Sequence, residues 1–247
     1  MKVVIIGGVA GGASAAARLR RLDERAEIVM LEKGEYISFA NCGLPYYIGG
    51  EIKQKSALTL QTPESFNARF NVDVRTMSEA VKIDPLKKTV TILNHRTGET
   101  YEDPYDKLIL SPGAEPFVPP VEGATSSRVF TLRNIPDTYR IKEYIEQNHP
   151  ERAIVAGGGF IGVEMAENLT NAGIAVTLVE MLDQVIPPID FDMAQDVHSH
   201  MEQKGVRLVL GKAVGRIRET DGGLQVSVGD SEIGTDMLIM AVGVRPD

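Results

Sequence analysis

The chain opens on a short apolar run. In KVVIIGG (Lys2–Gly8), four β-branched residues stand between a lysine and a glycine pair. Such a run, without polar alternation, predicts a strand buried on both faces of a parallel sheet. GGASAAARLRRL (Gly11–Leu22) has helical composition and spacing, and EIVMLEKG (Glu27–Gly34) predicts a second strand ending in an acid, Glu32. Strand, glycine turn, helix, strand, acid makes a βαβ unit. The same order returns later. RAIVAGGG (Arg152–Gly159) predicts a strand, FIGVEMAENLTNAG (Phe160–Gly173) a helix, and AVTLVE (Ala175–Glu180) a strand ending in Glu180.

The repetition continues beyond these units. Asp84-Pro85 separates the strand-like runs EAVKI and TVTIL, as Asp221-Gly222-Gly223 separates GRIRET from LQVSV, and both predict hairpins. YDKLILSPGAEP (Tyr105–Pro116) then matches TDMLIMAVGVRP (Thr235–Pro246), with Asp, Leu, Ile, Gly and Pro at equivalent places. The expected fold is α/β: two Rossmann-like dinucleotide-binding domains of the three-layer ββα type, each with a small β meander. Residues 1–116 are the expected first domain and 117–247 the second. The stretch Phe117–Asp137, rich in Pro, Gly and Ser, reads as a linker. Asp137–Pro150 predicts a helix capped by Asp137 and stopped by Pro150, and a further helix is expected from about Phe191 to Lys204.

The glycines give the repeat a chemistry. In a dinucleotide turn the first glycine allows the bend, the second lets backbone approach a pyrophosphate, and the third lets helix pack on strand. Gly157, Gly159 and Gly162 fit this pattern; in the first copy Gly7 and Gly12 fit, with Val9 in the middle place. From first glycine to acid is 25 positions (Gly7 to Glu32) and 23 (Gly157 to Glu180), close to the ~20 expected when a carboxylate meets the ribose hydroxyls. Glu180, followed by Met181-Leu182 with no arginine, favours NAD(H) over its 2′-phosphorylated form. Glu32 suits the adenosine ribose of another dinucleotide. Two such sites imply electron transfer between two cofactors, nicotinamide and flavin.

Composition narrows the field. The 247 residues are 43% hydrophobic, with no apolar run long enough to span a bilayer and no secretory leader expected. A net charge of −8 disfavours a nucleic-acid partner. One cysteine excludes an intrachain disulfide and fits a reducing, cytoplasmic compartment. His198 and His200, two apart on a predicted helix, point to different sides, and His95 and His149 read as surface loop residues; no metal site is expected.

The single cysteine lies in SFANCGLPYYIGG (Ser38–Gly50). If Asn41 caps a short helix over Leu44–Ile48, the thiolate of Cys42 gains from the helix N-terminus; the alternative is an inert, partly buried thiol. Ser14, Arg18 and Arg21, spaced by four and three, share one helix face, either a site for an anionic ADP-like tail or a solvated stripe.

Five stretches, GGVAGGASAAARLRRLDE, SFANCGLPYYIGG, YDKLILSPGAEP, TLRNIPD and GGGFIGVEMAENL, are spread along the chain. With them the sequence resembles the flavoprotein pyridine-nucleotide–disulfide oxidoreductases that carry one active-site cysteine. Within these it is most similar to the coenzyme A-disulfide reductases and the NADH-dependent CoA-persulfide or polysulfide reductases. The resemblance implies that Cys42 is a redox-active nucleophile cycling between thiolate and a mixed disulfide with CoA. It implies CoA contacts at Ser14, Arg18 and Arg21, with Ser38 and Asn41 lining the cysteine pocket. It implies FAD contacts at Gly7, Val9, Ala10, Gly11, Gly12, Glu32, Lys33, Val81, Ser111, Pro112 and Gly113, and at Arg133 for the phosphates. For NADH it implies Gly157, Gly159, Phe160, Ile161, Gly162, Glu164, Glu180 and Gly243.

Val9 is usual for that branch. Sister NADH oxidases and peroxidases usually carry histidine where this chain has Ala10, so Ala10 argues against their sulfenic-acid chemistry, as does Leu44-Pro45-Tyr46. An oxidase or peroxidase, and a truncated nucleotide-binding portion without turnover, are the alternatives. Family members continue past a segment like GVRPD to complete the flavin domain and add a dimerisation domain. The expectation is therefore an N-terminal portion of a longer, homodimeric enzyme.

Overall fold

The apolar runs that open each copy become central strands of two parallel sheets. The computed structural model describes residues 1–247. In chain order its elements are β1 (Lys2–Ile6), α1 (Ala10–Leu22), β2 (Glu27–Leu31), α2 (Leu44–Gly49), α3 (Pro63–Phe70), β3 (Asp73–Arg75), β4 (Ser78–Asp84), β5 (Thr89–Asn94), β6 (Thr100–Pro104) and β7 (Lys107–Leu110). There follow β8 (Ala114–Pro116), β9 (Val129–Phe130), α4 (Ile135–Asn148), β10 (Arg152–Ala156), α5 (Phe160–Asn171), β11 (Ala175–Val179), α6 (Phe191–Gln203), β12 (Arg207–Val209), β13 (Val214–Thr220), β14 (Gly223–Val228), β15 (Ser231–Thr235), β16 (Met237–Met240) and β17 (Val244–Pro246).

These elements form two compact units: Met1–Ala40 with Ser56–Gly113 and Pro246–Asp247, and Asn41–Lys55 with Ala114–Arg245. In the first, strands run in the order β3-β2-β1-β7, all parallel. The pleat divides the apolar runs between two faces. Val3, Ile5, Ile28 and Met30 meet Ala13 and Ala16 of α1 and Phe66 of α3 on one side. Val4, Val29 and Leu31 meet Val90 and Ile92 of the antiparallel β4-β5-β6 meander on the other. Burying each large aliphatic side chain contributes about 1.5–3 kcal/mol, which is why a strand with no polar alternation belongs in the middle layer.

The second unit repeats the plan around the parallel order β12-β11-β10-β16-β9. Its β13-β14-β15 meander places Ile217, Leu224, Val226 and Val228 against Ile154, Ala156, Val179, Leu238 and Met240. Each meander carries an irregularity in its first strand pair, between Ala80 and Lys82 and between Val214 and Ile217. The hairpin expected at Asp84-Pro85 forms, with the Asp84 carboxylate accepting from the backbone of Leu86 and Lys87 at 3.1 and 3.0 Å. No helix is long and apolar enough to cross a membrane.

Two local expectations are corrected. The stretch 117–137 is not all linker: Val129 and Phe130 pair with Leu238 and Ile239 at the edge of the second sheet, because Phe130 there buries its ring beside Tyr144 of α4. The following helix begins at Ile135, and its cap is Asn134 rather than Asp137. The Asn134 side chain accepts from the Asp137 N–H at 2.9 Å, while the Asp137 carboxylate turns back to accept from the Arg133 N–H at 3.0 Å. An extended backbone is what a capping residue needs, and Asn134 has it.

Candidate active site

The two glycine turns differ in what a side chain would meet. Gly7 and Gly157 have φ of +97° and +106°, and a β-carbon there would lie 1.9 Å from the Ser111 carbonyl oxygen and 2.3 Å from that of Ala241. At Gly12 and Gly162 a β-carbon would lie 1.7 and 1.9 Å from the carbonyl oxygens of Gly7 and Gly157, so these two glycines bring helix and turn together. Gly159 is different. Its φ is −72° and a β-carbon would meet nothing within 4 Å. The fold itself does not require glycine here; lacking a side chain, Gly159 leaves the approach to the α5 N-terminus open for a group that must come close to backbone N–H donors. Val9 occupies the equivalent place ahead of α1, whose first residue Ala10 is exposed. Phe160 and Ile161, the first residues of α5, are exposed beside Gly159, and so is Gly243.

The acids close each turn in the same way. Glu32 accepts from the N–H groups of Gly8 and Gly34, both at 2.8 Å. Glu180 accepts from Gly158 at 2.5 Å and Leu182 at 2.8 Å. A carboxylate has about four acceptor positions, so each acid, fixed by two backbone donors, keeps capacity for a ribose diol. The first turn opens on a cavity of about 280 Å³ lined by Gly7, Glu32, Lys33, Ala80, Ile83 and Pro112 among others. Lys33 pairs with Asp247 at its margin. Val81 falls at the β4 irregularity and is exposed. Ser111 is fixed by its N–H donating to the Ile6 carbonyl at 2.8 Å, and Gly113 takes φ +83°. Both turns therefore fit a dinucleotide: a bend, a helix start, an anchored acid.

Cys42 is exposed, in a 3-10 turn over Asn41–Gly43 that runs straight into α2. Asn41 does not cap that helix. The 3-10 turn carries the helical path past it, the cap position falls on Gly43 without a side-chain bond, and the Asn41 amide oxygen accepts instead from Arg133 Nη1 at 3.5 Å. Arg133 also bonds the Ala114 carbonyl, so the structure puts Asn41, Cys42 and Arg133 in one neighbourhood.

Helix α2 is pinned by packing. It lies against α4 and α5. Lys142 Nζ donates to the Ile48 carbonyl at 3.0 Å, Tyr47 meets Tyr139 edge-on at 5.8 Å, and Gly50 ends the helix at φ +89°. Tyr46, on the first turn of α2, lies near enough to Cys42 to feel its charge. The Glu167 charge, with burial and the charges of Glu164, Glu51 and Cys42, holds the Tyr46 phenol above its ordinary value. Burial, and then Glu167, pushes the Glu164 carboxyl up.

Ser14, Arg18 and Arg21 are exposed, as one face of α1 requires. Arg20 is used differently: its guanidinium donates to the carbonyls of Phe70, Asn71 and Glu24, which ties α1 to the end of α3. Ser38, at φ +44°, donates its N–H to the Gly8 carbonyl at 2.9 Å and accepts from Leu60 at 3.0 Å.

The whole chain, residues 1–247, matches the pyridine nucleotide-disulphide oxidoreductases. It belongs to that family. It is 36% identical, over its full length and 55% of the relative's, to a coenzyme A disulfide reductase of Staphylococcus aureus. The reduced CoADR-RHD of Bacillus anthracis superposes with a TM-score of 0.96 at 57% identity, covering all of this chain and 44% of that one. The NAD-dependent persulfide reductase of A. fulgidus gives 0.95 at 39%, covering all of this chain and 46% of that one. The chain thus spans about half the length of these relatives.

In this family member the residues that sequence reasoning missed are those that hold α2. Gly49, Asn168 and Lys142 had no signal, because their contacts join segments far apart in the chain.

Proposed function

We propose that this chain is the nucleotide-binding and thiol-bearing portion of an FAD-dependent oxidoreductase that passes electrons from NADH to Cys42, which reduces CoA disulfide or CoA persulfide. The observation that carries the reading is the doubled cradle, glycine turn and anchored acid, in a chain with one exposed cysteine. The similarity to a CoA disulfide reductase and a persulfide reductase supports the substrate class.

FAD fits the first turn, with Gly7, Val9, Ala10, Gly11, Gly12, Glu32, Lys33, Val81, Ser111, Pro112, Gly113 and Arg133 to hold it. NADH fits the second, with Gly157, Gly159, Phe160, Ile161, Gly162, Glu164, Glu180 and Gly243. Bound there, the two cofactors would supply the electron pair that reduces sulfur. Cys42, as thiolate, attacks one sulfur of CoA disulfide and releases one CoA thiolate, leaving a Cys42–CoA mixed disulfide. Two electrons then cleave that bond, release the second CoA and restore the thiolate. With CoA persulfide, attack on the outer sulfur releases CoA and leaves a Cys42 persulfide, which two electrons reduce to sulfide. Water protonates each departing CoA thiolate. Ser14, Arg18 and Arg21 bind the anionic CoA tail; Ser38 and Asn41 line the pocket. The full-length enzyme works as a homodimer in a reducing compartment that keeps Cys42 a thiol.

Steady-state NADH consumption by the full-length enzyme tests the reading. Turnover with CoA disulfide or persulfide supports it. Turnover with oxygen or peroxide alone identifies an oxidase or peroxidase, and none with any acceptor a nucleotide-binding portion without catalysis.

A further inference from the structure

Behind the second glycine turn lies a buried histidine that the proposed reaction does not use. His198, on α6, is 7% exposed. Its Nε2 accepts from the Val185 N–H at 3.0 Å. An imidazole accepts at Nε2 only when that nitrogen is unprotonated, so this bond requires the neutral ring with its proton on Nδ1. Val185 is fully buried and sits in the loop between β11 and α6. The next residue, Ile186, has φ +49°, a conformation that β-branched residues seldom adopt and that persists only where neighbours impose it. Three bonds hold the loop here: Val185 to His198, the Ile186 N–H to the Gly158 carbonyl at 2.7 Å, and the Ile189 N–H to the Ile186 carbonyl at 3.0 Å.

Gly158 is the middle residue of the GGG turn. Its carbonyl is held by Ile186 and its N–H by Glu180. A β-carbon on it would come within 3.1 Å of Val185 Cγ1. The conformation of the turn that faces the dinucleotide is therefore continuous, through Val185 and Ile186, with one imidazole lone pair.

We infer that His198 is a positioning residue for the dinucleotide site: its neutral ring holds the 181–190 loop against the Gly158 turn, and protonation releases the loop and weakens nucleotide binding. Protonation turns the acceptor into a donor facing the Val185 N–H, so the bond is lost. The ionisable groups on the surrounding elements do not substitute for it. Glu180 is buried and already bound to Gly158 and Leu182. Asp183 and Asp190 on the loop, Asp192, Asp196, His200 and Glu202 on α6, and Arg207 on β12 are all exposed. The inference rests on reading the second turn as the NAD(H) site.

The test is calorimetric titration of the full chain with NAD+, which binds without reducing anything, at about pH 8 and about pH 5.5, the range over which histidines change charge. The unaltered chain is expected to bind about tenfold more weakly at the lower pH, as the fraction in the competent loop conformation falls. His198→Gln, whose amide oxygen accepts from Val185 at any pH, should match it at pH 8 and lose most of the pH dependence. His198→Leu should bind weakly at both. A pH-independent affinity in the unaltered chain, or an undiminished pH dependence in His198→Gln, overturns the inference. Failure of NAD+ to bind the unaltered chain at pH 8 refutes the nucleotide reading, and this inference with it.

Discussion

Gly49 and Asn168 occupy one another's space: a β-carbon at residue 49 would lie 2.5 Å from the Asn168 amide oxygen and 3.0 Å from both its Cβ and its backbone oxygen. The Asn168 amide oxygen is buried and accepts no hydrogen bond, while its amide nitrogen donates to the Glu164 carbonyl at 2.8 Å. An unsatisfied buried acceptor costs about 1–3 kcal/mol. The arrangement brings α2, which follows the cysteine turn, backbone-close to α5, whose first turn begins at the second glycine cradle. Gly49→Ala is expected to destabilise the chain by about 1–3 kcal/mol through overpacking and to slow Cys42 alkylation or turnover. Asn168→Ala in the same chain should recover part of the loss. Denaturant melts of the two single variants and the double variant check this.

The glycines of the second turn separate fold from function. Gly159→Ala, with open space ahead of it, should leave the melting temperature within a degree or two of the unaltered chain, as surface changes usually do, and weaken NADH binding severely. Gly162→Ala, whose β-carbon would strike the Gly157 carbonyl, should lose stability by more than 1–3 kcal/mol, the usual cost of overpacking. Calorimetry of folding and of NADH binding on both variants reads the two effects apart.

Glu164 gives a pH signature. Burial, reinforced by the Glu167 charge, raises its folded value above the 4.5 of a free carboxyl. In the window between those values the folded chain holds a proton that the unfolded chain has lost. Stability therefore falls as pH rises through the window and stays lower above it. Glu164→Gln, which cannot ionise, should melt at a higher temperature than the unaltered chain at pH 7, and the difference should vanish below the unfolded value. Melting curves at the two pH values decide it.

The arginines of α1 are predicted to divide by task. Arg18→Ala with Arg21→Ala should raise the KM for CoA disulfide about tenfold or more with little change in kcat, since a binding interaction made equally in ground and transition states moves KM alone. Arg20→Ala should leave KM unchanged and lower stability, because its four carbonyl acceptors, those of Asp23, Glu24, Phe70 and Asn71, lose their donor. Steady-state kinetics in the full-length enzyme, paired with melts, check both.

Much of the fold was legible because local patterns and burial agree. VVII and IVML are apolar on both sides of the pleat, and the structure covers both sides. Glu32 and Glu180 stand where the strand ends, and both reach back to their own glycine turns. What was not legible depends on contacts between distant segments. Val129 and Phe130 look like linker until β16 offers them an edge. Asn41 looks like a cap until Arg133, far along the chain, draws its amide oxygen away. The six residues of α2 gain too little from their own hydrogen bonds to be stable alone, and their position is set by Lys142, Tyr139 and Asn168, which no local pattern announces. His198 could be placed on a helix from spacing, but its role as an acceptor for Val185 appears only in three dimensions.

The most direct measurement of the central claim is release of free CoA thiol from CoA disulfide by Cys42→Ser and by the unaltered full-length enzyme, both supplied with NADH under anaerobic conditions. If Cys42 is the one sulfur through which electrons leave, the variant is reduced by NADH as before and releases no CoA. Release at an undiminished rate by Cys42→Ser would contradict the account.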